Sequence, residues 1–482
     1  MTGGLADLAS RVDRALGEGL DDLVVRHHRR RLARIGRLDA LDAEGSGWAA
    51  GDPPPRPGND VEVLVDGADA LPRIAEAISA ARSHVELAGW HFDPDFRLGE
   101  GGPTLRELLA SAAAHADVRV LAWAGSPLPL FHPDRREVRE AMRRLVARTR
   151  IRYGLDRRER PLHCHHEKLV LVDGELAFVG GIDLTALAGD RLDRTTHPAR
   201  DSIGWHDAAV RLRGPAVGDV ADHFRLRWVE VTGEVLPTLP RPDPAGGLDV
   251  QVVRTVPERV YDRLPRGDFR ILEVYLRALR GAERLVYLEN QFLWSPEVVD
   301  VLEEKLARPP RDDFRLVVLL PVRPNNGEDD TRGQLGQLAE ADDGDARFLA
   351  CTLYQRGAPR PEPVYVHGKI GIVDDCWLTL GSANLNEHSL LNDTEMNVVL
   401  HEPELVRATR LRLWAEHLGR AADDVAGDPA RVVDELWRPL AAEGLERVRR
   451  GEAPARGLAA LPGVSRRSRR LLGPLNGLLV DG

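Results

Sequence analysis

Two homologous α/β lobes, each an α-β-α sandwich and related by a pseudo-twofold axis, are predicted by three features of this 482-residue sequence. Short apolar runs alternate with helical periodicity from Val61 onward, the mark of a largely buried sheet covered by helices. The same order of elements restarts after residue 247. Residue identities then recur at one fixed spacing: His166 and His367 stand 201 residues apart, as do Lys168 and Lys369, Asp173 and Asp374, Val85 and Val286, and Ala77 and Ala278. A chance motif match would not carry its neighbouring helix and strand along in register, so the two stretches read as a duplication.

Residues 1–57 read as a charged helical segment with the basic run RHHRRRLAR at 26–34, taken as a solvated helix face, and a breaker, GDPPPRPGND, at 51–60. The first lobe spans 58–235. Strand VEVLV leads into helix LPRIAEAISAARS and strand HVELAGWHF. Then come strand VRVLAWAG, an Arg-rich solvated helix over 134–150, strands HEKLVLVD and ELAFVGG, and a closing helix DVADHFRLRW. A Pro-rich linker over 236–252 separates the lobes. The second lobe, 253–420, repeats the scheme with helix ILEVYLRALRGA and strands RLVYLENQFL, LVVLLP, VHGKIGIVD and WLTLGSAN. An Arg- and Ala-rich extension fills 421–482.

Composition narrows the function classes. The formal net charge of −10 disfavours a dedicated nucleic-acid binder, whose affinity rests on a basic excess. Three scattered cysteines exclude a disulfide framework and a four-cysteine zinc site, and fit a reducing compartment. No signal peptide and no span of ~20 apolar residues is present, so a soluble, cytoplasmic chain is expected, with peripheral membrane contact as the sharper reading of the basic run.

The chemistry lies in His166-x-Lys168-x4-Asp173 and His367-x-Lys369-x4-Asp374. Side chains at i and i+2 of an extended segment share a face, so each motif presents an imidazole beside an ammonium. Small-residue turns follow: Gly180-Gly181-Ile182-Asp183 and Gly381-Ser382-Ala383-Asn384. Such turns let backbone approach an anion, and Ser382 and Asn384 add donors, with Asp183 the departure in the first half. An imidazole is a competent nucleophile near neutral pH, two lysines neutralise phosphate oxygens in place of metal ions, and a second imidazole moves the proton of the leaving group. One motif supplies a nucleophile without an acid; two facing motifs complete the set. No cofactor is expected. His163, Cys164 and His165 are metal-ligand types, but a strand alternates their faces and no companion cluster is visible, so no metal is expected and His165 is placed beneath the site.

The paired HxKxxxxD motifs with their GGxD and GSxN turns resemble the phospholipase D superfamily. The His165-His166-Glu-Lys start, GGIDL, WHDAAVRLRGPAV at 205–217 and YLENQFL at 287–293 are similar to its phosphatidylcholine-cleaving members. The resemblance covers residues 60–420. It implies the phospholipase D fold, a phospholipid substrate at a membrane surface, a phosphohistidine intermediate, and both half-sites in one monomeric chain. It also implies His166 as nucleophile oriented by Glu395, and His367 as acid/base oriented by Asp207. Asp173 and Asp374 are expected to brace their strands and lysines. The favoured activity is hydrolysis of phospholipids to phosphatidic acid and head-group alcohol, with transphosphatidylation as a variant. Rivals are a cardiolipin synthase-like phosphatidyltransferase, a metal-independent nuclease, and a binding module with a dead site, the last disfavoured because both motifs keep His and Lys.

Overall fold

A computed structural model describes residues 2–45, 47–99, 101–128, 131–160, 162–185, 204–324 and 328–464. The fold is mixed α/β. Helix α1 (Thr2–Ile35) precedes strands β1 (Arg56–Val65), β2 (His84–Gly89), β3 (Asp117–Trp123), β4 (Arg152–Asp156), β5 (Leu169–Val172), β6 (Leu176–Gly180), β7 (Gly204–His206) and β8 (Ala208–Arg213). The second half contributes β9 (Leu248–Val256), β10 (Asp268–Phe269), β11 (Leu285–Glu289), β12 (Arg315–Leu319), β13 (Phe348–Tyr354), β14 (Pro363–Val366), β15 (Ile370–Val373), β16 (Trp377–Gly381) and β17 (Glu395–His401).

Hydrogen bonding orders the first set β4-β3-β2-β5-β6-β8-β1, parallel across β4, β3 and β2 and antiparallel elsewhere. The second set runs β13-β12-β11-β15-β16-β17-β9 with the same senses. The register repeats as well: Val85 lies opposite Val172, and Val286 opposite Val373. β1 pairs with both β8 and β9, so the sheets join along that edge.

Period-two alternation divides each strand between two cores. Leu169 and Leu171 enter the central cluster that also holds Tyr287, Ile370 and Ile372 of the second half; Val170 and Val172 face the outer cluster with Ile74, Leu109 and Met142. Helices Val217–Thr232 and Pro403–Leu418 supply Trp228 and Trp414 to the central layer. The Arg-rich helix is Arg135–Val146, capped by Asp134; it buries Val138, Met142 and Leu145 and leaves Arg136, Arg139 and Arg143 in solvent.

Three expectations need correction. The linker placed at 236–252 ends earlier, because β9 begins at Leu248, where pairing with β1 and β17 makes residues 248–252 part of the sheet. The segment 51–60 does not break regular structure throughout, because β1 begins at Arg56, where pairing to Val250 of β9 outweighs the local proline content. The basic run at 26–34 is not wholly a solvated face. Arg29 and Arg30 are exposed, but His28, Arg31 and Leu32 are buried against the second half. There Arg31 bonds Glu258 at 2.7 Å and Asn392 at 2.8 Å, and His28 meets Glu297 at 2.5 Å. The C-terminal extension adds the strand Leu458–Ala460 to the free side of β13. Among the described residues no helix is long and apolar enough to cross a membrane.

The motif aspartates build this frame. Asp173 and Gly174 both take positive φ, as do Asp374 and Asp375, the sign pattern of a type I′ turn, closed by Glu175 N–H to Val172 O and Cys376 N–H to Val373 O. From there Asp374 accepts the backbone N–H groups of Glu283, Arg284 and Leu285 at 2.7–2.8 Å, and Asp173 those of Arg82, Ser83 and His84 at 2.7–3.1 Å. Each carboxylate thus pins the turn to the start of the neighbouring strand. Asp374→Ala should lower the unfolding free energy by about 2–3 kcal/mol, since hydrogen bonds to a charged group contribute about 1.5–3 kcal/mol. Urea denaturation checks this. Unchanged stability together with lost turnover would move the residue from frame to chemistry.

Candidate active site

Each HxK motif enters the site as an extended segment just ahead of its strand, and each segment is held by the opposite half. β14, which leads into His367, runs parallel to β7, with Val366 beside His206. The counterpart is the parallel bridge between His165 and Thr394. The backbone N–H groups of His367 and Gly368 donate to His206 O at 2.8 and 2.9 Å; those of His166 and Glu167 donate to Thr394 O at 2.9 and 3.0 Å. The residue after each of these carbonyls is an acid, and it meets the imidazole it faces. His166 Nδ1 lies 3.0 Å from Glu395 Oε1, and His367 Nδ1 lies 2.6 Å from Asp207 Oδ2.

The lysines complete the symmetry. Lys168 Nζ donates to His166 O at 2.7 Å and Lys369 Nζ to His367 O at 2.5 Å, so each ammonium is folded back beside its own imidazole. His166, Lys168, His367, Lys369, Glu395 and Asp207 are all buried. Lys168 also lies 3.3 Å from Asp183 Oδ2, whereas the second half has the uncharged Asn384 at the equivalent position.

The unequal turns follow from the acids they back. A Cβ on Gly181 would fall 2.2 Å from Asp207 Oδ1, so only glycine fits there. Ser382 takes the equivalent place against the longer Glu395 and donates to its Oε2 at 2.5 Å. Asn384 Nδ2 donates to Gln291 Oε1 at 3.3 Å. Ser382, Asn384 and Asp183, expected from sequence to contact substrate, are thus found bonding to the site's own side chains. Asp173 and Asp374 bond backbone at the strand ends.

Electrostatics favour a site with few free charges. Burial raises Glu395 to about 8, against the pull of Lys168 and the hydroxyls of Ser382 and Ser389. Burial likewise lifts Asp207 to about 7, with Lys369 opposing. Burial, then Lys369, Lys168 and His166, hold His367 well below its ordinary 6.5. Burial brings Lys369 down to about 8, partly offset by Asp207. In the His367–Asp207 pair the lowered imidazole and raised carboxyl therefore favour one proton shared between Nδ1 and oxygen. The carboxylate gains full charge most readily when its ring becomes cationic.

Sequence reasoning missed several participants. Ser389 Oγ donates to Glu395 Oε1 at 2.6 Å from six residues away, with no motif to flag it. Trp205 packs on the His367 ring at 4.3 Å between centroids. His165 lies beneath, as expected, with its ring nitrogens 2.9 Å from Thr394 Oγ1 and 3.0 Å from Asp156. Glu289 of YLENQFL, quoted only for resemblance, bridges His206 and His417 at 2.8 and 2.9 Å directly behind Asp207.

A family model described as "Phospholipase D" matches residues 345–447, which include the whole second motif. Phospholipase D A of Dictyostelium discoideum is 26% identical over 464 residues, covering 76% of this chain and 36% of its own length. The match therefore brings the first motif in as well as the second.

The chain is similar to the phospholipase D superfamily across both motifs.

Bovine phospholipase D2 is 25% identical over 73% of this chain and 50% of that protein. The major cardiolipin synthase of Bacillus subtilis is 25% identical over 71% of this chain and 66% of that protein. The chain thus spans between about a third and two thirds of these superfamily relatives. Among solved structures, phosphatidylserine synthase of Haemophilus influenzae Rd KW20 is similar at a TM-score of 0.49 and 13% identity, over 73% of this chain and 84% of that one.

The raised carboxyl groups carry a testable cost. A group whose folded pKa lies above its unfolded value stabilises fully below the unfolded value, and that contribution is lost as pH rises through the folded one. For Glu395 the window runs from the ordinary carboxylate range to about 8. Glu395→Gln removes the titration, so its stability relative to wild type should improve by more than about 1 kcal/mol between pH 5 and pH 9. Urea denaturation at the two pH values reads this out; parallel losses in both proteins would contradict it.

Proposed function

We propose that this chain is a phospholipase D-type phosphodiesterase that hydrolyses phospholipids to phosphatidic acid and head-group alcohol through a phosphohistidine on His166. The observation that carries the reading is the pair of buried imidazoles, each held through Nδ1 by an acid of the opposite half and flanked by its own lysine.

With Nδ1 taken by Glu395, His166 attacks phosphorus through Nε2. The P–N bond forms as the bond from phosphorus to the head-group oxygen breaks, and Nε2–H of His367 gives its proton to that oxygen. Lys168 and Lys369 offset charge on the non-bridging oxygens. Water then loses a proton to His367 and attacks phosphorus. The P–N bond breaks, and phosphatidic acid leaves with His166 restored. An alcohol in place of water gives a transphosphatidylation product. The low pKa of His367 suits the donor step: part of the depression comes from Lys369 and Lys168, and an anionic phosphate between them offsets it. Glu395 and Asp207 become full carboxylates as their rings turn cationic, which places the counter-charge where the reaction needs it.

A lipid substrate is supported by the relatives named phospholipase D and cardiolipin synthase and by the net charge of −10, which disfavours polynucleotide. The second reading, phosphatidyl transfer to a lipid alcohol, uses the same first half-reaction and rests on the cardiolipin synthase relative. Proposed with these roles are a peripheral position on a membrane surface and a monomer with both half-sites in one chain.

Vesicles of phosphatidylcholine, phosphatidylethanolamine or phosphatidylglycerol, and a single-stranded oligonucleotide, each with and without ethanol, form the test. Release of phosphatidic acid, with phosphatidylethanol appearing when ethanol is present, is expected. His166→Ala and His367→Ala should each cut turnover by ~10³-fold or more, and mixing them should restore nothing. The value of kcat/KM should fall further above about pH 8, where Lys369 gives up its charge. Cleavage of the oligonucleotide alone, or recovery on mixing, would contradict the reading.

A further inference from the structure

A second cluster spans the two halves three residues before His166 and two before Glu395. His163 Nδ1 lies 3.0 Å from His388 Nδ1 and 3.4 Å from Asp393 Oδ1. His388 and Asp393 are buried, while the side chain of His163 keeps 13% of its surface exposed. The arrangement is built by a π-helical turn over His388–Asn392, in which Asp393 N–H donates to His388 O at 2.7 Å. The five-residue spacing of that turn brings residues 388 and 393 to one side, and single π turns occur often at functional sites. Asp393 Oδ1 also accepts Cys164 N–H at 2.9 Å, which fixes its direction. Its Oδ2, within a residue 1% exposed, has no hydrogen-bond partner among the described residues.

A hydrogen-bonded chain explains this poorly. His163 Nδ1 offers one proton or one lone pair in the plane of its ring, yet a carboxylate oxygen and a second imidazole nitrogen both close on it. A divalent cation resolves the conflict. Zinc bonds imidazole nitrogen at about 2.0–2.1 Å and carboxylate oxygen at about 2.0–2.2 Å, so tetrahedral ligand atoms stand about 3.3–3.5 Å apart. The 3.4 Å between His163 and Asp393 lies in that range, and the 3.0 Å between the imidazoles would widen by a few tenths of an ångström on binding. Two imidazoles and a carboxylate match the taste of zinc, and the Cys164 N–H would orient the carboxylate as outer-shell partners do.

We propose that His163, His388 and Asp393 form a binding site for one zinc-class divalent cation, whose fourth position faces the opening beside His163. The cation takes no part in phosphoryl transfer. It clasps the segment leading into His166 against the segment leading into Glu395, and so sets the spacing of that imidazole–carboxylate pair across the two halves.

Full-length protein stripped with chelator and titrated with Co²⁺ tests the site. One equivalent should bind with the intense visible absorption of a tetrahedral ion, and Zn²⁺ should displace it. His163→Ala and Asp393→Asn, checked for native circular dichroism, should each weaken binding at least tenfold. Crystals of the wild type grown with zinc should show an anomalous peak among His163, His388 and Asp393, a readout that stands even if a variant fails to fold. Absence of tetrahedral Co²⁺ in the wild type, undiminished affinity in both variants, or an anomalous peak elsewhere would overturn the proposal.

Discussion

The geometry of the site depends on one constraint: each imidazole is held by an acid that belongs to the other half of the chain. Two parallel crossings produce it, His367 beside His206 and Asp207, and His166 beside Thr394 and Glu395. The backbone hydrogen bonds fix the segments, and the carboxyl groups then have little freedom in where they meet the rings. A single half would present an imidazole without its acid. Duplication and interlocking are therefore one requirement seen at two scales, and the pseudo-twofold relation of the sheets is its larger expression.

Burying so many charges is costly unless every one is met. The interior answers with linked networks. Arg227 joins Asp156 and Glu167, and Glu167 meets His223 at 2.7 Å, all beneath the first motif. Asp66, His206, Glu289 and His417 form the corresponding chain beneath the second. These networks differ residue by residue although the backbone around them repeats. Each half has kept the architecture and solved the charge problem separately, as Gly181 and Ser382 do on the two orienting acids.

The duplication, the two HxK pairs and the sheet order around them were legible because period-two alternation and the 201-residue offset are local or periodic signals. Asp207 and Glu395 were reached through the resemblance, which spacing alone would not have supplied. What stayed hidden is what folding brings together from distant positions. Ser389 on Glu395, and His388 and Asp393 around His163, carry no pattern in their own neighbourhoods, and the WHD segment does not show that Trp205 packs on His367. His163 looked isolated because its companions stand 225 and 230 residues downstream. The start of β1 within a proline-rich stretch was missed for the same reason, since its partner strand β9 lies in the other half.

The central claim is covalent transfer onto an imidazole held across the halves, and trapping the adduct tests it most directly. A phosphodiester with a p-nitrophenol leaving group needs no proton for the first step, whereas breakdown of the adduct still needs a base. His367→Asn should therefore accumulate a phosphoryl group, and intact-protein mass spectrometry with peptide mapping should place it on His166. His166→Asn should carry none. An adduct on His367, or none in either variant together with inversion at phosphorus in the wild type, would contradict the account.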